Sequence, residues 1–279
     1  MYTSLCVALF VVAILLQRVI LQRGKPDSGA FAGGFQLLVA AVLLPIALLH
    51  DIDFSGYSAV WLPVSISVAC FGMGSVVYAK ALKQTEAGVF TVIFASQAVW
   101  VALFGVVVLG ELMRVNHIAG SALVFASIAL LVKRFDNIRA SRGLVLSLLT
   151  GFIYGIAVTA SSYVGRHVDV LTWTFVSFAL SGLASFAVSP RGVQRLHTVF
   201  RPATLPLLLV TALLYGLGSF TMTLAYRDGP FSLVAPLRQT ATIFTTLLAF
   251  AFLRDERHDA TRKVAAALLC CLGAICLTR

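Results

Sequence analysis

Charge is what this sequence has least of. Only 11% of its 279 residues are charged, against about 25% in a soluble domain, while hydrophobic residues make up 59%. A soluble fold must turn polar groups to water over much of its surface. A soluble globular protein is therefore excluded, and lipid must be the solvent for most of the chain. No Asp or Glu lies near the middle of any apolar segment. That argues against coupling through an intramembrane carboxylate of the kind proton-driven carriers commonly use, while coupling through substrate charge or sodium stays open. A phosphate loop of the G-x-x-x-x-G-K-[ST] kind is missing, so ATP-driven transport within this chain has no support. The five histidines (His50, His117, His167, His197, His258) sit in loops or at segment ends, with neither metal-ligand spacing nor a Ser–His–acid arrangement. The five cysteines all lie inside apolar segments, where they pack as small apolar residues rather than form a disulfide framework. No catalytic residue, no metal and no cofactor is expected.

What the sequence does have is apolar runs of membrane length. About 20 residues of helix cross the hydrocarbon core, and ten segments qualify: Thr3–Leu21, Ala30–His50, Ala59–Lys80, Gly88–Gly110, His117–Val132, Gly143–Val164, Val170–Ser189, Leu205–Tyr226, Phe231–Leu253 and Val264–Thr278. The longest connection, Pro190–Thr204, is too short for a soluble domain. A cleaved leader fits the first segment poorly, because no basic residue precedes it and no small-residue cleavage site follows it closely. The expectation is a retained helix. The net charge of +10 comes from basic residues in short loops beside the spans. There they set topology and meet anionic headgroups, so no nucleic-acid partner is expected.

The chain also repeats itself. Phe-Gly-Met-Gly-Ser at Phe71–Ser75 returns 144 positions later as Tyr-Gly-Leu-Gly-Ser at Tyr215–Ser219, and Ala81 falls on Ala225. Leu62-Pro63 matches Leu205-Pro206 at a spacing of 143, and Leu109–Glu111 faces Arg254–Glu256 at 145. The three matches, in order and at corresponding places in two sets of five spans, describe a doubled unit, with repeats at 1–137 and 138–279. An odd number of spans per copy forces the second copy into the membrane upside down. Inverted repeats of this kind are a hallmark of secondary transporters. The predicted fold class is an all-α integral membrane protein of ten transmembrane helices in two inverted five-helix repeats.

Here the sequence resembles the drug/metabolite transporter superfamily, and within it the EamA-type group. The likeness rests on the ten spans, the doubled five-helix unit, "ALKQTEAGVF" leading into the fourth span, "GE" closing that span, and "SLVAPLRQT" at Ser232–Thr240 with Glu256 in the second half. It covers essentially the whole chain and is nearly silent on substrate. It implies a central cavity lined by both halves, in a group that includes exporters of amino acids and other small metabolites. It also implies that one chain is a complete unit, with the bacterial inner membrane as the expected location.

Basic residues assign orientation. The loops after spans one, three, five, seven and nine hold fifteen Lys and Arg, whereas the other loops and the two termini hold four. The positive-inside rule places the first set in the cytoplasm and both termini outside, opposite to many members of the resembled group.

Polar residues within spans mark candidate sites, because burying them in lipid is costly. Arg238 follows Pro236 about a third of the way along the ninth span. It shares one helical stripe with Thr242, and Gln239 shares an overlapping one. Its guanidinium could attract a carboxylate or phosphate, or it could snorkel or bond a neighbouring helix. Gln97 is the strongly polar residue of the fourth span, beside Trp100 and a stripe of phenylalanines, and it falls opposite Thr242 at a spacing of 145. It could bond a substrate while the rings pack on its apolar part, or it could tie helices together. Tyr154 and Tyr215 carry hydroxyls deep in their spans. Tyr78, nearer a span end, reads as an interface anchor. Gly151 and Gly155 form a G-x-x-x-G packing pair. Glu111 and Glu256 read as interfacial carboxylates near basic loops. The candidate substrate-binding set is Arg238, Gln239, Thr242, Gln97, Trp100, Tyr154 and Tyr215.

Two functions follow. One is a secondary transporter that exports or exchanges a small polar metabolite, an amino acid or related compound, by alternating access. The other is a non-transporting membrane scaffold or lipid-handling protein on the same fold. The expected partners are a small-molecule substrate and membrane lipid. The oligomeric state is not legible, although a monomer would be self-sufficient.

Overall fold

Within lipid the backbone must satisfy its own hydrogen bonds, which leaves helices or a closed barrel. The computed structural model describes residues 2–50, 52–109, 115–132, 138–228, 240–252 and 259–277, and these hold helices joined by turns with no strand among them. In the first half, α1 is Tyr2–Arg23, α2 is Ser28–Leu49 and α3 is Trp61–Gln84, followed by α4 (Ala87–Phe94), α5 (Ser96–Leu109) and α6 (Val115–Val132). In the second half, α7 is Ile138–Val164, α8 is Val170–Val188 and α9 is the single turn Arg191–Gln194. Leu205–Asp228 forms α10, Ala241–Phe252 forms α11 and Ala260–Leu277 forms α12. All ten predicted segments are helical where they are described. Eight helical stretches are long and apolar enough to cross a membrane, and Val115–Leu131 is a shorter apolar one. Large apolar side chains such as Leu48, Trp61, Val107, Leu183 and Phe252 stand exposed on the outer surface, as a lipid-facing surface requires.

One predicted span is not continuous. The fourth segment, expected as a single helix over Gly88–Gly110, is broken at Ala95 between α4 and α5. The Ala95 N–H reaches the Thr91 carbonyl at 3.1 Å and the Ala98 N–H reaches the Ala95 carbonyl at 3.0 Å, so the ladder tightens there. Neither Pro nor Gly marks the break. Gly151 of α7 brings its backbone so close that an added Cβ would lie 2.4 Å from Ser96 Oγ and 3.3 Å from the Phe94 carbonyl oxygen. In the second half α11 starts at Ala241 after a turn at Thr240, the position that Ala95 takes at a spacing of 145.

The packing follows the repeat. Helix α3 packs on α7 as α10 packs on α1; α3 meets α8 as α10 meets α2; α5 meets α7 as α11 meets α1. The pairs α2–α8 and α6–α12 join equivalent helices across the interface between the halves. The repeated glycines make these contacts possible. A Cβ on Gly72 would lie 2.6 Å from Ala184 Cβ on α8, and one on Gly74 would lie 2.7 Å from the Tyr154 ring on α7. Their counterparts Gly216 and Gly218 face α2 and α1 more loosely, with nearest atoms at 3.5 Å and 3.3 Å. Small residues bring helices together in lipid because no hydrophobic force drives that association. The loops repeat the theme. Asp27 caps α2 through the N–H groups of Gly29 and Ala30, and Asp169 caps α8 through that of Thr172, a spacing of 142.

Candidate functional site

A cavity of about 550 Å³ lies between the halves, lined from α1–α5, α7, α8, α10 and α11. Its walls obey the repeat residue by residue. Phe10, Ile14 and Gln17 on α1 answer to Tyr154, Val158 and Ser161 on α7; Phe71, Ser75 and Tyr78 on α3 answer to Tyr215, Ser219 and Met222 on α10. All six pairs stand 144 apart. The twice-written motif thus supplies an aromatic ring and a serine to each side of the cavity.

Two aromatic clusters frame it. The Tyr154 ring meets Phe71 and Phe94 edge to face, each with centroids 5.4 Å apart. The Tyr215 ring meets Phe10 at 5.0 Å, Phe35 at 5.5 Å and Phe178 at 6.0 Å, all edge to face, the arrangement ring quadrupoles favour. Polar groups are set among the rings. Gln36 Nε2 donates to Ser75 Oγ at 2.6 Å, and Ser75 Oγ lies 2.9 Å from the Tyr154 hydroxyl. The Ser185 hydroxyl donates to the Gly72 carbonyl at 3.0 Å, tying α8 to the first glycine of the motif. Other buried groups have no partner among the described residues: Gln17 Oε1, the Tyr78 hydroxyl, Ser181 Oγ and Thr245 Oγ1 all lie on cavity-lining residues. An unmade hydrogen bond on a buried polar atom costs ~1–3 kcal/mol, so these atoms call for a polar guest or water.

The structure brings four of the candidate residues together. Gln97, Tyr154, Tyr215 and Thr242 all line the cavity. Gln97 follows directly on the break at Ala95, and Thr242 follows the turn at Thr240. Trp100 does not line it. Its ring packs on Phe152 at 5.0 Å, and its Cβ would be 2.6 Å from a Cβ on Gly155, so the G-x-x-x-G pair seats α5 through Trp100 and Ser96. Arg238 and Gln239 lie outside the described residues, as do Glu111 and Glu256. Tyr78 is not an interface anchor: its ring meets Phe90 edge to face at 4.9 Å beside the cavity. Sequence reasoning passed over Gln17, Gln36 and Ser181; Ser75 lies in the repeated motif and Thr245 on the inward stripe predicted for Arg238 and Thr242, though neither is in the candidate set. The rule that singled out Gln97, a strongly polar side chain in an apolar span, also applies to Gln17 and Gln36.

Among the described residues, the cavity reaches the surface at one end of the bundle. Gly165 and the exposed Arg166, at the end of α7, line it. The opposite end is filled by apolar side chains, among them Ile20, Leu21, Phe31, Leu82, Phe90 and Val199. Outside that plug, Arg195 Nη1 pairs with Asp27 Oδ2 at 3.2 Å. Burial works against the Asp27 carboxylate, but the N–H groups of Ala30 and Gly29 and the Arg195 guanidinium outweigh it and hold its pKa below the usual carboxylate value.

A helical membrane protein of two intertwined repeats around a cavity at the centre of the bundle has the build of a membrane transporter. The match to known proteins agrees. The model of the EamA-like transporter family matches residues 1–133 and again 141–279, and the chain belongs to that family. It is 27% identical over 204 residues to an uncharacterized transporter of Archaeoglobus fulgidus, a match that spans 70% of this chain and 69% of the relative. A solved structure described as "Crystal structure of protein" superposes with a TM-score of 0.62 at 18% identity, over 98% of this chain and 96% of that one, a likeness of fold alone. The chain is an integral, multi-pass membrane transporter.

Proposed function

We propose that this protein is a secondary transporter that exports or exchanges a small polar or amphipathic metabolite, an amino acid or related compound, across a membrane such as the bacterial inner membrane. Alternating access through the cavity between the repeats at 1–137 and 138–279 is the mechanism. The observation that carries this reading is the unpartnered buried polar atoms of Gln17, Tyr78, Ser181 and Thr245 on the walls of an aromatic cavity. A few polar groups converging in an apolar pocket are what small-molecule sites contain. Gln97 and Thr242, one from each half and each the second residue of its helix, are the proposed substrate contacts, with Tyr154 and Tyr215 as ring platforms. Arg238 and Gln239 complete the proposed set on the sequence argument alone.

Flux of radiolabelled amino acids and related metabolites into proteoliposomes tests it. Gln97→Ala is expected to slow flux of the transported compound about tenfold, the effect of losing one substrate hydrogen bond. If the intact protein moves none of these compounds, the scaffold or lipid-handling reading takes over.

A further inference from the structure

Among the described residues the packing of the two halves largely corresponds, so the place where they differ carries information. Helix α1 packs against α3. Its counterpart pair, α7 and α10, makes no comparable contact among the described residues. The side chains tell the same story. Along α7 the cavity lining continues past Ser161 to Ser162, Gly165 and Arg166. On α1 it stops at Gln17, and the counterparts Arg18, Leu21 and Gln22 are engaged instead. Arg18 Nη1 donates to the Leu82 carbonyl at the end of α3. Gln22 Nε2 donates to the Lys83 carbonyl at 2.9 Å. Lys83 Nζ reaches back to the Pro26 carbonyl beyond α1, and Leu21 is 1% exposed within the plug.

The loop contacts show no such difference. The turn between α1 and α2 is strapped by residues 195–201 through Asp27 and Gly24. At the other end the segment before α3 is tied to the start of α8: the Asp53 N–H donates to Thr172 Oγ1 at 3.2 Å and the Tyr57 ring packs on Trp173. Straps present at both ends at once cannot distinguish the closed end from the open one. The α1–α3 contact does.

We propose that Arg18, with Gln22 and Lys83, is the latch that seals the cavity at the Lys/Arg-rich face. The cavity changes sides when α1 parts from α3 and Ser162, Gly165 and Arg166 close against the end of α10. An arginine is suited to the task. Its planar, permanently charged head can hold carbonyl oxygens at a helix end, where unpaired C=O groups carry partial negative charge. Released, it lies near enough to the interface to snorkel into water. Arg166, the counterpart of Gln22, can do the same at the other end. The assignment rests on the transport reading, but its central test does not require a known substrate.

Reporter cysteines at the equivalent positions Leu21 and Gly165 read the two ends in the full chain, and Gly165 has room for a side chain, with its nearest neighbour atom at 3.5 Å. A membrane-impermeant maleimide is applied to each face in turn. Gly165→Cys is expected to label quickly and Leu21→Cys slowly. Adding Arg18→Ala should reverse the preference, with the ratio of the two rates falling about tenfold, while Arg18→Lys restores most of it. An unchanged ratio in folded Arg18→Ala protein overturns the latch. If Arg18→Ala does not fold, the pair Gln22→Cys with Lys83→Cys decides. Copper-phenanthroline oxidation of that pair in the Gly165→Cys protein should leave the reporter thiol open to N-ethylmaleimide and abolish any flux until dithiothreitol is added. Flux that continues through the cross-linked protein also overturns the latch. Absence of flux in the unmodified protein with the labelling ratio still responding to Arg18→Ala refutes the transport reading and leaves the latch standing.

Discussion

Asp27 shows how much a single side chain can organise. It caps α2, pairs with Arg195 across the Lys/Arg-rich face, and its own N–H donates to Thr198 Oγ1 at 3.1 Å. Replacing it with Ala is expected to cost ~1 kcal/mol through the cap, read as a fall in melting temperature in detergent. Its pKa is depressed in the folded protein, so the stabilisation is complete above the ordinary carboxylate value and is lost as pH falls through the lowered one. Below about pH 4, the unmodified protein should therefore lose more melting temperature than Asp27→Asn does. Equal acid slopes would show that the carboxylate contributes nothing as an ion. In the cavity, Gln36 and Ser75 hold the Tyr154 hydroxyl. Ser75→Ala should leave Gln36 Nε2 and that hydroxyl seeking new partners and weaken substrate binding more than it lowers the melting temperature.

At the scale of the element, the two copies of the glycine motif make unequal contacts. An added Cβ on Gly72 would lie 3.0 Å from the backbone of both Ala184 and Ser185, whereas the nearest atoms to one on Gly216 are side-chain carbons of Val42, Val39 and Leu43 at 3.5–3.7 Å. Backbone cannot move aside cheaply, and overpacking costs ~1–3 kcal/mol. Gly72→Ala should lower the melting temperature by several degrees and Gly216→Ala by much less. Similar losses for the two would contradict the difference in packing. The helices themselves were readable as apolar runs, and nearly every one falls where it was expected. The break at Ala95 was not, since no Pro or Gly marks it in the sequence and what lies against it is Gly151 of α7. The Asp27 and Asp169 caps were legible in principle, as aspartates just ahead of apolar runs.

For the whole molecule, the imbalance of fifteen basic residues against four assigns the closed end of the cavity to the cytoplasm and the mouth at Arg166 to the outside. Cysteines placed at Val193, in the loop after α8, and at Phe54, in the loop after α2, both exposed, test this in intact cells. An impermeant maleimide added outside should label the Phe54→Cys protein and spare the Val193→Cys protein, and the reverse would invert the molecule. The same labelling fixes which way the latch at Arg18 faces.

By itself the sequence determined the solvent, the number of spans and the doubling, because each of these rests on composition or on spacing along the chain. Scarce charge required lipid, apolar length required helices that cross it, and a motif written twice 144 residues apart required two related halves. Tertiary structure alone decided which polar residues share a cavity, that Trp100 turns to α7 instead, and that the halves differ where α1 meets α3. Those outcomes depend on how one helix face is rotated against another, and in a span that is apolar all round no periodicity records that rotation.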